Sequence, residues 1–371
     1  MGLINIEVNQ KRLSLRDKLY QKDVIERIFY PDYPYVVELD PTTMCDLACP
    51  GCISGDLLNK NSFSNERLMK LGEEFIECGV KAVVLIGGGE PLNHPVIGKF
   101  IELLGKNDVH IGLTTNGTKI KKYLNQIANY VNWTRVSIDA ATPKTFNYLR
   151  PSKSGKDHGT FLKILKNMEE LAKVKKGSLG YSFLIRTPAD GMNISNINEI
   201  YEGAKLAKDI GCDYFEVKPS YDMRHFLVIH DKDLMEKAKE EIKKAKELED
   251  ENFKVLESVN LNFTLECKNV SQPKDYKTCP VAELRTLITP SGVYVCPYFR
   301  GRKDMKLGDV HNVSFKEMWN SEKKKNILNN YLNPSEHCKM HCIRHESNKE
   351  IFKIRQNIEG IEYLEEFDRF I

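Results

Sequence analysis

The amino-acid sequence predicts an α/β protein in which a partial (βα)6 TIM-like barrel is followed by a small C-terminal α+β domain, a hairpin plus helix. Two observations predict this architecture. Six short apolar segments alternate with amphipathic helices between residues 35 and 220, and the pattern changes at about Val255, beyond which hairpin signals follow. Six βα units are too few to close an eight-stranded barrel, so we expect an open one.

The strand candidates are short, apolar and often β-branched, as parallel strands buried on both faces are. They are Tyr35–Leu39, Ala82–Ile86, His110–Thr114, Thr134–Ile138, Tyr181–Ile185 and Tyr214–Val217. Helices with one apolar face are predicted between them. They cover Asn65–Glu77, Val96–Lys106, Ile120–Tyr130, Thr160–Val174 and Ile197–Ile210.

Five regions follow from this pattern: an N-terminal extension (1–34), the barrel (35–222), a helical linker (223–254), a C-terminal domain (255–345) and a C-terminal helix (346–371). The Lys/Glu-rich helix Asp231–Leu248 is predicted as the linker, with a solvated charged face. The C-terminal domain is expected to contain a hairpin over Leu284–Cys296, turning at Pro290-Ser291-Gly292, and a helix over Ser314–Ile327.

Composition excludes several classes of protein. The 371 residues are 41% hydrophobic and 29% charged, which is enough to bury a core and argues against a disordered chain. No apolar run reaches the roughly 18 residues of a membrane-spanning helix, and the first residues lack a signal-peptide core. The net charge of +3, with no basic face interleaved with aromatics, argues against nucleic acid. We expect a cytoplasmic protein with neither a membrane nor a nucleic-acid partner.

Seven of the ten cysteines fall into two groups. The first, Cys45-x3-Cys49-x2-Cys52, occupies one short loop with no fourth ligand nearby. Zinc sites usually combine C-x2-C pairs and close four ligands, whereas three thiolates suit a [4Fe–4S] cluster with one open iron. A zinc knuckle with a distant fourth ligand is the alternative. Cys78 and Cys212, on apolar segments, are predicted to be structural.

Polar and glycine residues follow the predicted strands, where the active sites of βα folds gather. We therefore expect one common mouth for the residues that end or follow successive strands. They are the three cysteines, then Gly88, Gly89 and Glu90, then Asn116, then Ser137 and Asp139, then Arg186, and last Lys218.

This arrangement resembles the radical S-adenosylmethionine (SAM) superfamily over residues 35–220. The cysteine motif, Gly88-Gly89-Glu90-Pro91 and Ser137-x-Asp139 carry the resemblance. It implies a [4Fe–4S] cluster on the three cysteines with SAM on its open iron, the glycine–glutamate element at the SAM amino group, and Ser137 and Asp139 at the ribose. Asn116 joins this cofactor-binding set by position, and Arg186 is the candidate for the SAM carboxylate by charge and position. Gly51 stands where the family commonly has an aromatic residue.

The second cysteine group resembles the auxiliary-cluster extension of the SPASM or shorter Twitch type. It consists of Cys279, Cys296, Cys338 and Cys342. Four cysteines suffice for one [4Fe–4S] cluster, so the resemblance implies two clusters in the chain. A structural zinc site and unrelated thiols are the alternatives.

The resemblance implies that a flavodoxin or ferredoxin supplies one electron, that SAM is cleaved to a 5′-deoxyadenosyl radical, and that this radical takes a hydrogen atom from the substrate. Oxidation, epimerisation or deoxygenation could follow. The spare Cys267 is a candidate hydrogen-atom donor, and a structural thiol is the alternative.

A small polar substrate is expected, such as a sugar, aminocyclitol or nucleotide sugar, because the 34 residues before the first strand are too few for a peptide-leader domain. Lys218, Arg300 and Arg302 are candidates to contact a phosphate or carboxylate. Modification of a ribosomal peptide is the alternative.

Overall fold

The computed structural model describes residues 15–156, 159–222, 224–268, 273–357 and 360–371. Its strands are β1 (Val36–Leu39), β2 (Ala82–Leu85), β3 (His110–Thr115), β4 (Trp133–Ser137), β5 (Ser178–Leu184), β6 (Tyr214–Lys218), β7 (Lys254–Glu257), β8 (Arg285–Thr289), β9 (Gly292–Tyr294) and β10 (Lys306–Gly308). They form one sheet with the order β10-β9-β8-β1-β2-β3-β4-β5-β6-β7.

The α-helices are α1 (Lys22–Phe29), α2 (Asn65–Glu77), α3 (Ile97–Lys106), α4 (Leu124–Tyr130), α5 (Pro143–Leu149), α6 (Thr160–Ala172), α7 (Ile200–Asp209), α8 (Lys232–Lys246), α9 (Leu261–Leu265), α10 (Val281–Leu284), α11 (Phe315–Trp319), α12 (Glu322–Asn326), α13 (Pro334–His337) and α14 (His345–Gln356). In the described residues, no helix is both long and apolar enough to cross a bilayer.

An open parallel barrel is confirmed, with two more parallel strands than predicted. Strands β1 to β7 pair in sequence order, all in parallel, and β8 adds in parallel to the free side of β1. Within the described chain β7 and β8 stand at opposite ends of this run of eight strands, and the barrel stays open between them.

The helix predicted as a linker belongs to the barrel instead. Helix α8 packs against α7 and connects β6 to β7, which pair in parallel. Its apolar stripe, Met235, Ala238, Ile242 and Ala245, is buried, so only the opposite face is the solvated charged surface. The sheet therefore runs on across both ends of the predicted linker.

The predicted hairpin is present, since β8 and β9 pair antiparallel with Thr289 opposite Gly292. The single helix expected over Ser314–Ile327 is two helices. Ser314 caps α11 by accepting from Glu317 N, and Ser321 starts α12 by accepting from Lys324 N. A second N-cap within one apolar segment divides it, because the capping residue leaves the helical backbone conformation.

The bottom of the barrel is closed by both ends of the described chain. Helix α14 ends at Gln356, short of the predicted 346–371. Beyond it, the Gln21 side chain bonds the backbone of Phe367 and Asp368. Phe370 and Ile371 then pack with α1 and the interior of β1 and β2 in a second buried cluster. The predicted site residues lie at the opposite, C-terminal end of the strands.

Candidate active site at the mouth of the barrel

The glycine loop after β2 lies directly against the cysteine loop after β1. Glu90 N donates to Met44 O at 2.9 Å, one residue before Cys45. A Cβ at Gly89 would overlap the Thr43 and Met44 backbone, so this close approach requires glycine. Gly88 lies beside the carboxylate of Asp40.

Gly89→Ala should therefore cost about 1–3 kcal/mol of unfolding free energy by overpacking, and should shift the cysteine loop. Gly55→Ala is the matched control, since nothing lies within 4 Å of a Cβ at Gly55. Denaturant unfolding and iron content of both variants test this. Equal stability of the two variants would show that the close approach does not need glycine.

The Glu90 carboxylate ties the end of β2 to the end of β3. It is 2% exposed and accepts from Thr115 Oγ1 at 2.7 Å, Asn116 N at 2.7 Å and Leu92 N at 3.1 Å. Burial raises its pKa to about 7. Both carboxylate oxygens are used within the protein, so its side chain organises the loop; the predicted contact of this element with SAM stays a prediction.

Asp46, between the first two cysteines, anchors the cysteine loop to β3. It accepts from Asn116 Nδ2 at 2.8 Å and from Thr118 Oγ1 at 2.7 Å. The Asn116 side chain, predicted to bind the cofactor, instead donates to Asp46 and accepts from Thr118. Cys45, Cys49 and Cys52 are free, half-buried thiols on that anchored loop.

Arg150, which sequence reasoning missed, connects Asp139 to the cysteine loop. Its Nε and Nη2 donate to Asp139 Oδ2 at 3.0 and 2.6 Å, and its Nη1 lies 3.9 Å from Cys49 Sγ. Asp139 Oδ1 accepts from Leu184 N at 2.8 Å. Arg150 directly follows α5, the helix after Asp139, and only that position could have drawn attention to it. Ser137 is half-buried at the end of β4, and its predicted ribose contact remains a prediction.

Arg186 explains why position 51 carries no aromatic side chain. A Cβ at Gly51 would overlap the Arg186 guanidinium, so the arginine fills the space beside the cysteine loop. Arg186 Nε is 3.1 Å from Asp190 Oδ2, and its backbone N donates to Asn196 Oδ1 at 2.8 Å. The predicted role at the SAM carboxylate stays a prediction, and the position beside Cys52 is consistent with it.

The four C-terminal cysteines line one cavity of about 290 Å³. Ile53, directly after Cys52, lines the same cavity, as do Glu38, Arg285, Arg300 and Arg344. This volume has room for an iron–sulfur cluster rather than only for one ion. Within the described ranges, no three His, Cys, Asp or Glu side chains meet around a single-ion site.

Cys267 lies apart from these four thiols. Its Sγ donates to His230 O at 3.6 Å, and the His230 ring bonds Thr187 beyond β5 and Ser220 beyond β6. The thiol therefore lies near the mouth of the barrel. Its backbone φ of +53° is in the left-handed region, an uncommon conformation for a residue with a side chain.

The barrel interior is lined by charged side chains that alternate with the buried apolar positions of the strands. Two ion pairs cross it, Arg135 Nη1 to Glu216 Oε2 at 3.1 Å and Arg285 Nη2 to Glu38 Oε1 at 2.6 Å. Lys218, on the same face of β6 as Glu216, is half-buried and has no ion pair or hydrogen bond of its side chain among the described residues. Burial, with Arg135 second, lowers its pKa to about 8.

The other two predicted anion contacts are already neutralised. Arg300 makes a two-pronged pair with Asp40, with Nε at 2.8 Å and Nη2 at 2.9 Å from its carboxylate oxygens. Arg302 pairs with Asp304. Of the three, Lys218 alone forms no ion pair among the described residues.

Two family profiles match the chain. The Radical SAM superfamily profile covers residues 39–202, and the SPASM profile, an iron–sulfur cluster-binding domain, covers residues 279–343. The first spans the barrel strands from the end of β1 to α7, and the second contains all four C-terminal cysteines.

Curated relatives match part of the chain. The GTP 3′,8-cyclase of Bradyrhizobium diazoefficiens is 34% identical over 114 residues, 28% of this chain and 33% of the cyclase. The AdoMet-dependent heme synthase of Methanosarcina barkeri is 24% identical over 188 residues, half of each protein. The chain thus spans about a third to a half of the length of the curated relatives it matches.

Solved structures share the fold over most of this chain. SuiB of Streptococcus suis, bound to its precursor peptide SuiA, has a TM-score of 0.61 at 16% identity over 93% of this chain and 78% of SuiB. The enzyme anSMEcpe, with AdoMet and a peptide bound, has a TM-score of 0.57 at 18% identity over 85% of this chain and 88% of its own. The predicted cofactors, SAM and [4Fe–4S] clusters, are confirmed by the two profiles, with SAM present in these neighbours. The chain therefore carries a Radical SAM superfamily domain over residues 39–202, followed by a SPASM iron–sulfur cluster-binding domain over residues 279–343.

Proposed function

We propose that this enzyme abstracts a hydrogen atom from a small polar substrate that carries an anionic group, such as a phosphorylated sugar or a nucleotide sugar. The observation that carries the proposal is Lys218, a cation inside the barrel mouth that forms no ion pair with any described residue. Buried charges are stable only when paired, so a half-buried ammonium without a carboxylate partner suits an anionic ligand.

Each of the two cysteine groups is assigned one iron–sulfur cluster. Cys45, Cys49 and Cys52 would hold the cluster that binds SAM, and the four cysteines around the 290 Å³ cavity would hold the auxiliary cluster. Bound there and reduced by a flavodoxin or ferredoxin, these cofactors would supply the 5′-deoxyadenosyl radical. Ile53 lies between the two proposed cluster sites, because it follows Cys52 in the chain and lines the cavity of the four C-terminal cysteines.

The chain's own residues position and enclose the reacting groups. The Asp139–Arg150 pair supports the cysteine loop beside Cys49, and Glu90 fixes the ends of β2 and β3. The closed bottom of the barrel leaves the mouth as the route for substrate. Ion pairs already satisfy Arg135 and Arg285, so the binding of an anion falls to Lys218.

The relatives support a phosphorylated substrate over a peptide. The names of two curated relatives describe action on nucleotides, the GTP 3′,8-cyclase and a nucleotide dehydratase of Flammeovirga pacifica. SuiB and anSMEcpe were solved with peptides, but at 16–18% identity they share only the fold with this chain. A peptide substrate is the second candidate and one arm of the test.

The test is an anaerobic assay of the reconstituted enzyme with SAM and reductant against three panels: sugar phosphates and nucleotide sugars, neutral sugars and aminocyclitols, and peptides. Substrates deuterated at the attacked carbon should transfer deuterium to 5′-deoxyadenosine only in the first panel. Transfer from a neutral compound or a peptide alone would contradict the proposal. In the same assay, Cys267→Ala should stop net epimerisation but not SAM cleavage if this thiol returns the hydrogen atom.

Lys218 also predicts a pH profile. A lysine with a pKa near 8 is charged below that pH and neutral above it, so binding of an anionic substrate weakens as pH rises. The charged side chains facing it are those of Arg135, Glu216, Asp139 and Arg150, which are tied in two ion pairs. The KM for substrate should rise about tenfold per pH unit above pH 8.

Lys218→Arg should flatten this profile while it keeps binding, because arginine stays charged. Lys173→Ala, which removes an exposed lysine, should leave the profile unchanged. A wild-type profile that is already flat between pH 7 and 9.5 would show that Lys218 does not hold the anion. If Lys218→Ala raises the KM for SAM alone, the lysine binds the SAM carboxylate instead.

A further inference from the structure

Two cations near the C-terminal cysteines lack a carboxylate partner. Lys274 is 9% exposed, and the one hydrogen bond its Nζ makes to the described residues is to Met340 O, at 3.2 Å. Arg344 lines the cysteine cavity, and its Nη1 is buried with no hydrogen-bond partner. Among the described residues, neither side chain forms an ion pair with a carboxylate.

Both positions adjoin the thiols. Met340 lies between Cys338 and Cys342 in the chain and lines the same cavity, so the Lys274 ammonium is next to this pair. Arg344 follows Cys342 by two residues. The other arginines around the cavity differ, because Arg285 pairs with Glu38 and Arg300 with Asp40.

The missing partner charge matches that of a bound cluster. Four thiolates around an oxidised [4Fe–4S] core sum to about −2, and reduction adds one more negative charge. Lys274 and Arg344 together supply two positive charges at this place. A buried cation without an anion is costly, whereas one beside a cluster of this charge is compensated.

We propose that Lys274 and Arg344 form a charge-compensating pair that raises the reduction potential of the auxiliary cluster; this rests on the proposed assignment of that cluster to the four C-terminal cysteines. Positive charge near the cluster stabilises its reduced state more than its oxidised state. Net charge and hydrogen bonds to sulfur are the means by which a protein adjusts such a potential. The pair therefore favours the auxiliary cluster as an electron acceptor.

The experiment is an anaerobic redox titration followed by EPR, with iron content measured on each sample. The Cys45/Cys49/Cys52→Ala background isolates the auxiliary signal. Lys274→Gln and Arg344→Gln should each shift the midpoint potential to more negative values, and the double variant should shift it further. Lys274→Arg and Arg344→Lys keep the charge and should stay near the parent. Lys353→Gln removes an exposed lysine on α14 and is the matched control.

An unchanged potential in the Gln variants, with full iron content, would overturn the inference. If the Gln variants lose iron, the charge-conserving variants Lys274→Arg and Arg344→Lys decide the outcome. The inference is supported if these two keep both their iron and the parent potential, and it is overturned if they lose iron as well. A background chain without any iron would instead overturn the auxiliary-cluster assignment in the proposed function, which separates the two failures.

Discussion

Alanine at Cys45, Cys49 and Cys52 together is expected to reduce 5′-deoxyadenosine formation from SAM to background. These thiols share one loop that Asp46 and Asn59 fix in place, and a cluster with an open iron needs all three. The measurement is quantification of 5′-deoxyadenosine after anaerobic incubation with SAM and reductant.

Cys78→Ala is the control for this prediction, because Cys78 is buried at the end of α2 and belongs to neither group. It should retain SAM cleavage. Cys338→Ala combined with Cys342→Ala should also retain cleavage of SAM but lose product formation from substrate. If the triple variant cleaved SAM at the wild-type rate, the assignment of the cluster to this loop would be wrong.

Asp139→Asn is expected to have the largest effect on stability, lowering the unfolding free energy by about 3–5 kcal/mol. The Asp139 and Arg150 side chains are 6% and 13% exposed, so loss of the carboxylate charge leaves a buried, uncompensated guanidinium. Asparagine keeps an oxygen for Leu184 N, which restricts the loss to the ion pair. Denaturant unfolding of the cluster-free chain measures it.

A second substitution distinguishes the cost of an unpaired buried charge from the cost of altered packing at the Asp139–Arg150 pair. Arg150→Met added to Asp139→Asn removes the stranded cation and should recover much of the lost stability, because a buried pair is often replaceable by apolar groups. Glu169→Ala, at an exposed pair on α6, should leave stability unchanged within error. Additive losses in the double variant would mean that the ion pair is not the source of the effect.

The sequence predicted the parts of the fold that local pattern determines. Helix α2 begins and ends where expected because Ser64 caps it, accepting from Arg67 N at 3.1 Å. The first six strands were found because their core positions are apolar. Strand β7 was missed because it is short and has only two apolar residues, Val255 and Leu256, between Lys254 and Glu257. The Lys/Glu-rich α8 before it is also typical of a solvated helix.

The site was predictable where motifs carry it and hidden where distant residues meet. The cysteine spacing and the glycine–glutamate element identified the loops that follow β1 and β2 as parts of the site. The Asp139–Arg150 contact with Cys49 joins residues about a hundred positions apart, and Arg186 fills the space at Gly51 across 135 positions. Such pairings form only once the loops meet at the mouth of the folded barrel. The spacing of residues along the chain gives no signal for them.

We expect each of the two cysteine groups to hold one cluster, both on one continuous sheet. Iron and sulfide content with EPR tests it most directly, on the wild type, the Cys45/Cys49/Cys52→Ala variant and the Cys279/Cys296/Cys338/Cys342→Ala variant. We expect about eight irons in the wild type and about four in each variant, with different EPR signals remaining in the two variants. About four irons in the wild type, falling to none in the triple variant, would contradict it.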